Sequence, residues 1–350
     1  MNAAAAPPEI APDTWNRYRA NLPRHLMGIA RHLQSEVMRS LTRRSGHAGL
    51  RLGFEPFITL IAQHGVRITA LAGWLGISKQ ACNQTINQIE RAGYVRRDAD
   101  PGDGRAKVLQ LTADGRRLMS EGVAASHGVQ ARYRALVGEA DYADFAGLVD
   151  RLCAGLEFVR PLHRVARQNG GDVVGALLGR LSDYVQQRLM ALTAARGHPR
   201  LKMSFAQVLG LIGPGGGRIQ QIARIQQVSK QAVGAVVGEL EELGYLERRA
   251  DPADARAQRL CFTPAGLQLL ADSVASVDAL EREIAAIIGD AGLSRLRTLA
   301  ASLYAALELE SEVFQARADL HALADQLTQQ LGPQAARELA RLLAVSRQED

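Results

Sequence analysis

Apolar residues recur at helical spacing through most of the chain. Between Thr14 and Arg44 they fall at Leu26, Ile29, Ala30, Leu33, Val37 and Leu41. That stripe predicts one long helix, capped by Asp13 or Thr14 and kinked at Pro23. Gly46 and Gly49 end it. Phe54 to Gln63 predicts a second helix around Phe57, Leu60 and Ile61. Ile68 to Leu75 predicts a short third, followed by a sharp turn at Gly76. Ser78 caps a fourth helix running to about Ala92, and Gly93 supplies its left-handed stop. There the period changes. Tyr94 to Arg97 and Lys107 to Leu111 read as short strands, and DADPGDGRA between them as a loop too long for a two-residue hairpin turn. Thr112 caps a helix that runs through Met119 toward Val137. Asp141 to Arg160 forms another, with Phe145, Leu148, Leu152, Leu156 and Val159 on one face. Pro161 and Gly170-Gly171 punctuate a junction.

The same order then returns. Ser78 to Gly115 matches Ser229 to Gly266 at an offset of 151 residues without a gap: SKQA opens both, Gly93-Tyr94 becomes Gly244-Tyr245, and Arg105 becomes Arg256. The register holds beyond this stretch, with Phe54 on Phe205 and Leu148 on Leu299. A whole domain is therefore duplicated. Helices are expected at Val173 to Ala195, Phe205 to Ile212, Ile219 to Gln226, Ser229 to Leu243, Pro264 to Ile288 and Leu293 to about Glu310. The chain divides into a disordered tail (1–13), a first repeat (14–165), a second repeat (171–315) and an extra C-terminal helical pair (316–350). The fold class is mostly α with small β wings (α+β).

With 350 residues, 47% of them hydrophobic and 22% charged, this is the composition of a soluble globular protein. The formal charge of +6 is a mild basic excess, compatible with nucleic acid without demanding it. Cys82, Cys153 and Cys261 are too few and too scattered for a disulfide framework or a zinc site, which favours a reducing cytoplasm. The apolar runs are far short of a membrane span, and MNAAAAPPEIAPD lacks the regions of a signal peptide. Gly213-Pro214-Gly215-Gly216-Gly217 lacks the Lys-Ser/Thr of a phosphate loop, and no metal spacing or nucleophile elbow occurs. An enzyme, a metal and a cofactor are not expected.

Ile68 to Ala92 has the spacing of a helix-turn-helix, whose second helix lays its first turn in the DNA major groove. Ser78 and Lys79 would meet phosphate or a guanine edge, and Gln80, Asn83, Gln84 and Asn87 carry amides able to read bases. The buried side is expected at Ala81, Thr85 or Ile86, and Ile89. The strands form a wing whose Arg105 and Lys107 would reach the backbone or the adjacent minor groove. Asp103, two residues away, would orient the Arg105 guanidinium. In the second copy the corresponding residues are Ser229, Lys230, Gln231, Asp254 and Arg256, joined by Arg259.

The SKQA-start helix, the Gly-Tyr step, the D-P-x-D-x-R-A wing and the exit L-x-[LF]-T-x-x-G resemble the MarR family of bacterial winged-helix regulators. The resemblance covers about 22–160 and 173–310. Family members are usually homodimers with interlocked terminal helices, so it implies a fused duplicate: a monomer folded as its own pseudo-dimer, holding double-stranded DNA at an imperfect palindrome. It also implies release by a small aromatic ligand between the interlocked helices and the winged domain. Trp15, Tyr18, His25 and Tyr184 are candidate lining residues. Repression is the expected mode. The copies differ where readout occurs. Gly234, Ala235 and Gly238 replace Asn83, Gln84 and Asn87, and Glu239, Glu241, Glu242 and Glu247 gather around the end of the second recognition helix. Gross charge does not separate them: 41–115 and 192–266 each hold ten basic and six acidic residues. The second copy is therefore expected to read fewer bases and mostly to hold phosphate. The runner-up is a ligand- or protein-binding scaffold with degraded DNA readout. His47 and His198, at equivalent places, are expected to cap or pack. Cysteine redox sensing is a minor option.

Overall fold

Prolines decide where the first two helices begin. In the computed structural model α1 spans Pro12–Arg19 and α2 spans Leu22–Arg43, where a single helix kinked at Pro23 was expected. Asn21 Oδ1 accepts the Arg24 N–H at 3.0 Å, and Pro23 falls in the first turn of α2, where a missing N–H removes no intrahelical bond. The structure describes residues 11–43, 46–62, 65–100, 102–157, 159–168, 173–213, 216–226, 228–251 and 254–309. The expected tail thus lies largely, and the C-terminal helical pair wholly, outside the described residues.

The first half continues with a 3-10 turn at Leu52–Phe54, then α3 (Glu55–Ile61), α4 (Ile68–Leu75), α5 (Lys79–Arg91), β1 (Val95–Asp100), β2 (Asp103–Leu111), α6 (Ala113–Val137) and α7 (Glu139–Gly155). The junction is not merely punctuated. It holds a further helix, α8 (Arg160–Gln168), with Pro161 in its first turn. The second half repeats the series as α9 (Val173–Ala194), α10 (Met203–Ile212), α11 (Ile219–Gln226), α12 (Lys230–Glu242), β3 (Leu246–Asp251), β4 (Asp254–Phe262), α13 (Pro264–Ile288) and α14 (Asp290–Ala306). Read at the offset of 151, α8 is the counterpart of α1.

The strands run further than expected. β1 and β2 pair antiparallel from Val95↔Leu111 to Asp100↔Asp103, leaving two residues between them, with a bulge at Ala99/Asp100. β3 and β4 do the same from Leu246↔Phe262 to Asp251↔Asp254. Between the last two pairs the second strand of each hairpin advances four residues against one, so the irregularity takes up three extra residues, which made the connection look too long for a tight turn. Val66 and Gly217 add isolated bridges to Leu109 and Leu260.

The halves are built into one another. α2 packs on α9 and α14, while α13 packs on α7 and α9. One apolar core runs from Leu22 and Leu26 through Tyr133 and Phe145 to Leu177, Leu280 and Leu303, joining the long helices of both halves to the first winged unit. The second winged unit has its own core around Phe205, Val237, Leu240 and Phe262. α1 crosses to that unit: Trp15 is buried there, and α1 packs along α13. The contact is close enough to fix residue size. A Cβ on Gly28 of α2 would lie 2.4 Å from the Tyr304 ring of α14.

Candidate nucleic-acid interface

The helix-turn-helix forms as its residues dictate. α4 ends at Gly76 with φ +65°, a left-handed conformation natural to glycine. Two residues later Ser78 Oγ accepts the Ala81 N–H at 3.1 Å and starts α5. Cys82, Ile86 and Ile89 form the buried side of α5, fully enclosed. That corrects the expected buried set: Ala81 is exposed and Thr85 half-buried, because Cys82 holds the first core position. Burial raises the Cys82 thiol above its ordinary range. The opposite side presents Ser78, Lys79, Gln80, Asn83 and Gln84 to solvent, with Asn87 half-buried. The expected reading set of α5 therefore shares one face.

Two of its amides are already engaged. Arg97 of β1 donates from Nη2 to Asn83 Oδ1 at 3.0 Å and to Asn87 Oδ1 at 2.6 Å, while its Nη1 lies 3.4 Å from Glu90. With each Oδ1 accepting from Arg97, the Nδ2 groups of both asparagines are the donors left for other partners. Sequence reasoning missed Arg97. Its only signal was a third position in a strand that also begins with an apolar residue, and nothing in the spacing links it to α5.

The wing is set by Arg67, at the cap position of α4. Its Nε reaches Asp100 Oδ2 at 2.6 Å, and its Nη2 lies 3.8 Å from Asp103. The Gly102 N–H, with Arg67, holds the Asp100 carboxyl below the usual carboxylate range. Asp103 accepts the backbone N–H of Arg105 at 3.2 Å rather than its guanidinium. The orienting role expected of Asp103 toward that side chain is not what the structure shows. Arg105 and Lys107 are exposed.

The second head is arranged differently. Ser229 Oγ caps α12 through the Ala232 N–H at 3.1 Å, and Lys230 and Gln231 are exposed. Gly234 and Gly238 offer no side chain, so Arg248, the counterpart of Arg97, turns to Glu241 at 2.9 and 3.1 Å. Glu239 pairs with Lys202, and Glu247 with Arg249 at 2.5 Å. Much of the expected acidic crowd is thus neutralised within the protein. Arg259 is tied to the buried Asp251 at 3.2 Å, alongside Arg218. The side chains of Asp254 and Arg256 lie outside the described residues.

Each hairpin is joined to its following long helix by a buried histidine. His198 sits between Tyr245 Oη at 2.8 Å and Asp272 Oδ2 at 3.0 Å. His47 Nε2 lies 3.0 Å from Glu121, and its ring meets Tyr94 edge-on. Packing is their role, as expected. The candidate ligand-lining set is not brought together. Trp15 and Tyr18 are in the second winged core, His25 lies against Tyr304, and Tyr184 packs on the central core. A cavity does exist, elsewhere: about 150 Å³ between α2, α3, α6 and α9, lined by Leu33, Val37, Phe54, Glu55, Ile58 and Met119 among others.

Residues 57–106 and 205–257 each match the model of the MarR family, which places the match on the two helix-turn-helix and wing units. No match was found among curated proteins. Among solved structures, the chain is similar to a transcriptional regulator from Thermotoga maritima, at 22% identity over 37% of this chain and 94% of that one, with a TM-score of 0.30. It is likewise similar to a MarR-family regulator from Rhodococcus sp. RHA1, at 25% identity over 41% and 96%, with a TM-score of 0.31. CouR from Rhodococcus jostii RHA1, solved bound to p-coumaroyl-CoA, is 25% identical over 42% and 96%, with a TM-score of 0.31. Among the described residues no helix is long and apolar enough to cross a membrane, and no cluster is suited to a metal.

Proposed function

We propose that this chain, two stretches of which match the model of the MarR family, is a sequence-specific DNA-binding repressor in which one chain acts as its own dimer. The observation that carries this reading is the division of α5. Its Cys82, Ile86, Ile89 side is sealed, and Lys79, Gln80, Asn83 and Gln84 stand together on the open face. In the groove, Lys79 neutralises phosphate, Gln80 and Gln84 read adenine or guanine edges, and Asn83 and Asn87 donate to guanine O6 or N7 or to thymine O4. Arg105 and Lys107 hold the wing on the backbone. The second head contributes Lys230 and Gln231 with few base contacts, so the operator is an imperfect palindrome with one strong half. Ligand release operates through the cavity beside α3.

The test is a gel shift and footprint on DNA upstream of the chain's own coding sequence, repeated across salt concentrations. Specific protection with a steep salt dependence, sensitive to substitutions in one half-site far more than in the other, is the expected result. Equal dependence on both half-sites would refute the asymmetric reading. Weak binding independent of sequence would refute the regulator itself and favour a scaffold.

A further inference from the structure

We propose that the protein holds one effector per chain, a single-ring molecule whose protonated amine pairs with Glu55 in the cavity of the first half, and that occupancy reaches the first reading head through Arg180. This rests on the reading of the protein as a DNA-binding regulator.

The two halves share a frame but not this space. Leu33, Phe54, Ile58 and Met119 wall the cavity of the first half, and Gly175, Ala176 and Gly179 of α9 form its small-residue side. At the 151-residue offset those last three correspond to Arg24, His25 and Gly28 of α2. In the second half Arg24 Nη2 comes within 3.3 Å of the Cβ position of Gly210, and Trp15 is buried in the same core as Phe205, Leu209, Leu269 and Leu270. Those four residues are the counterparts of Phe54, Ile58, Leu118 and Met119, all in the wall of the first cavity. Trp15 of α1 thus joins, in one half, the core residues whose counterparts line open space in the other. The sequence of α8 carries the small Ala166 where α1 carries Trp15. An apolar cavity near 150 Å³ suits one aromatic ring.

Glu55 decides the charge of the guest. Its carboxylate accepts from Thr59 Oγ1 at 3.0 Å, and among the described residues it makes no ion pair. Glu55 is exposed and lines the cavity, so its carboxylate is open to a guest. Burial pushes the carboxyl up to about 7. The other charged groups near it are Asp183 and Arg180 on α9, and the exposed Arg51 at the rim. The second half has Ala206 in place of Glu55.

Arg180 links this carboxylate to the reading head. Its Nη2 donates to the Leu75 carbonyl at 2.5 Å, at the last residue of α4, and its Nη1 lies 3.9 Å from Asp183. Both Glu55 and Asp183 favour its charged form against burial. A guest cation cancels the contribution of Glu55, weakens the hold of Arg180 on α4, and frees α5 to leave the groove. The counterpart of Arg180 is the buried Ile29, so the other half has no such link.

Titration calorimetry on the full chain with benzylammonium, benzoate and benzyl alcohol, paired with a gel shift, tests this. One benzylammonium per chain is expected, bound more tightly than benzoate. Its affinity should rise about tenfold between pH 6 and 8 as Glu55 loses its proton. Glu55→Gln should weaken benzylammonium about tenfold or more and remove that pH dependence, while leaving benzyl alcohol unchanged. Gly122→Leu, where a Cβ meets nothing closer than Leu41 at 4.0 Å, should fill the cavity and abolish binding in a folded chain. Benzylammonium should loosen DNA from the parent and not from Arg180→Gln. Two equal sites, preference for benzoate, or indifference to Glu55→Gln overturns the proposal. DNA binding without amine binding overturns the site alone. Amine binding without any DNA binding overturns the relay and the regulator reading, and supports the site.

Discussion

Glu55→Gln is expected to leave stability unchanged near pH 4.5 and to raise it at pH 8. The sign follows from linkage. The carboxyl of Glu55 is raised in the folded chain from 4.5 to about 7, so the folded state holds the proton that the unfolded state has released. Stability is then lost as pH climbs from 4.5 through 7 and is flat above. Taken at face value, a displacement of that size is at most about 3.4 kcal/mol. Glu55 keeps accessible surface inside the cavity, where water screens its charge, so about 1 kcal/mol is the expected cost at pH 8. Glutamine keeps the shape and still accepts from Thr59 Oγ1, and it cannot ionise. Urea denaturation followed by circular dichroism at pH 4.5, 6, 7 and 8, for parent and variant, isolates this group because all other titrations cancel in the difference. The gap should open between pH 5 and 7 and then stay constant. Parallel profiles across the range, or a variant less stable at pH 8, would refute a raised carboxyl at this position.

Three further outcomes are expected. Arg105→Ala should weaken DNA binding nearly equally on all sequences and reduce the salt slope by about 0.9, whereas Gln84→Ala should cost about 1–3 kcal/mol on the preferred site and relax its sequence preference, as fluorescence anisotropy would show. Gly115→Ala should destabilise by about 3 kcal/mol, because its Cβ would lie 2.0 Å from the Tyr94 carbonyl oxygen, while Gly128→Ala, open around its Cβ in mid-helix, should gain up to ~1 kcal/mol; thermal melts separate them. Of the three thiols, Cys261 alone should react with a disulfide reagent in the native chain, since Cys82 and Cys153 are fully buried and burial pushes Cys153 up to about 12. Rapid modification of Cys82 would show that α5 opens readily.

Much of the architecture was legible along the chain, because its causes are local. Ser78, Gly76, Gly93 and Thr112 act within one turn of themselves, so helix ends came close to where they were expected. The duplication is a property of the sequence itself, and it brought two helix-turn-helix units and two wings with it. The exposed Lys79, Gln80, Asn83 and Gln84 followed from helical period alone. What escaped depends on partners far away in the chain. The buried side of α5 turns on whether Cys82 or Ala81 meets α4, a choice set by packing between helices. The hold of Arg97 on Asn83 and Asn87 needs the wing folded back over the helix. The difference between the halves was visible only as scattered substitutions. Folding α1 and the start of α2 onto the second winged unit buried Trp15 in its core and set Arg24 beside Gly210, while Glu55 lines open space in the other half. Period and caps are one-dimensional, and fix elements. Which side chain fills which space is a matter of volume, decided only when distant helices meet.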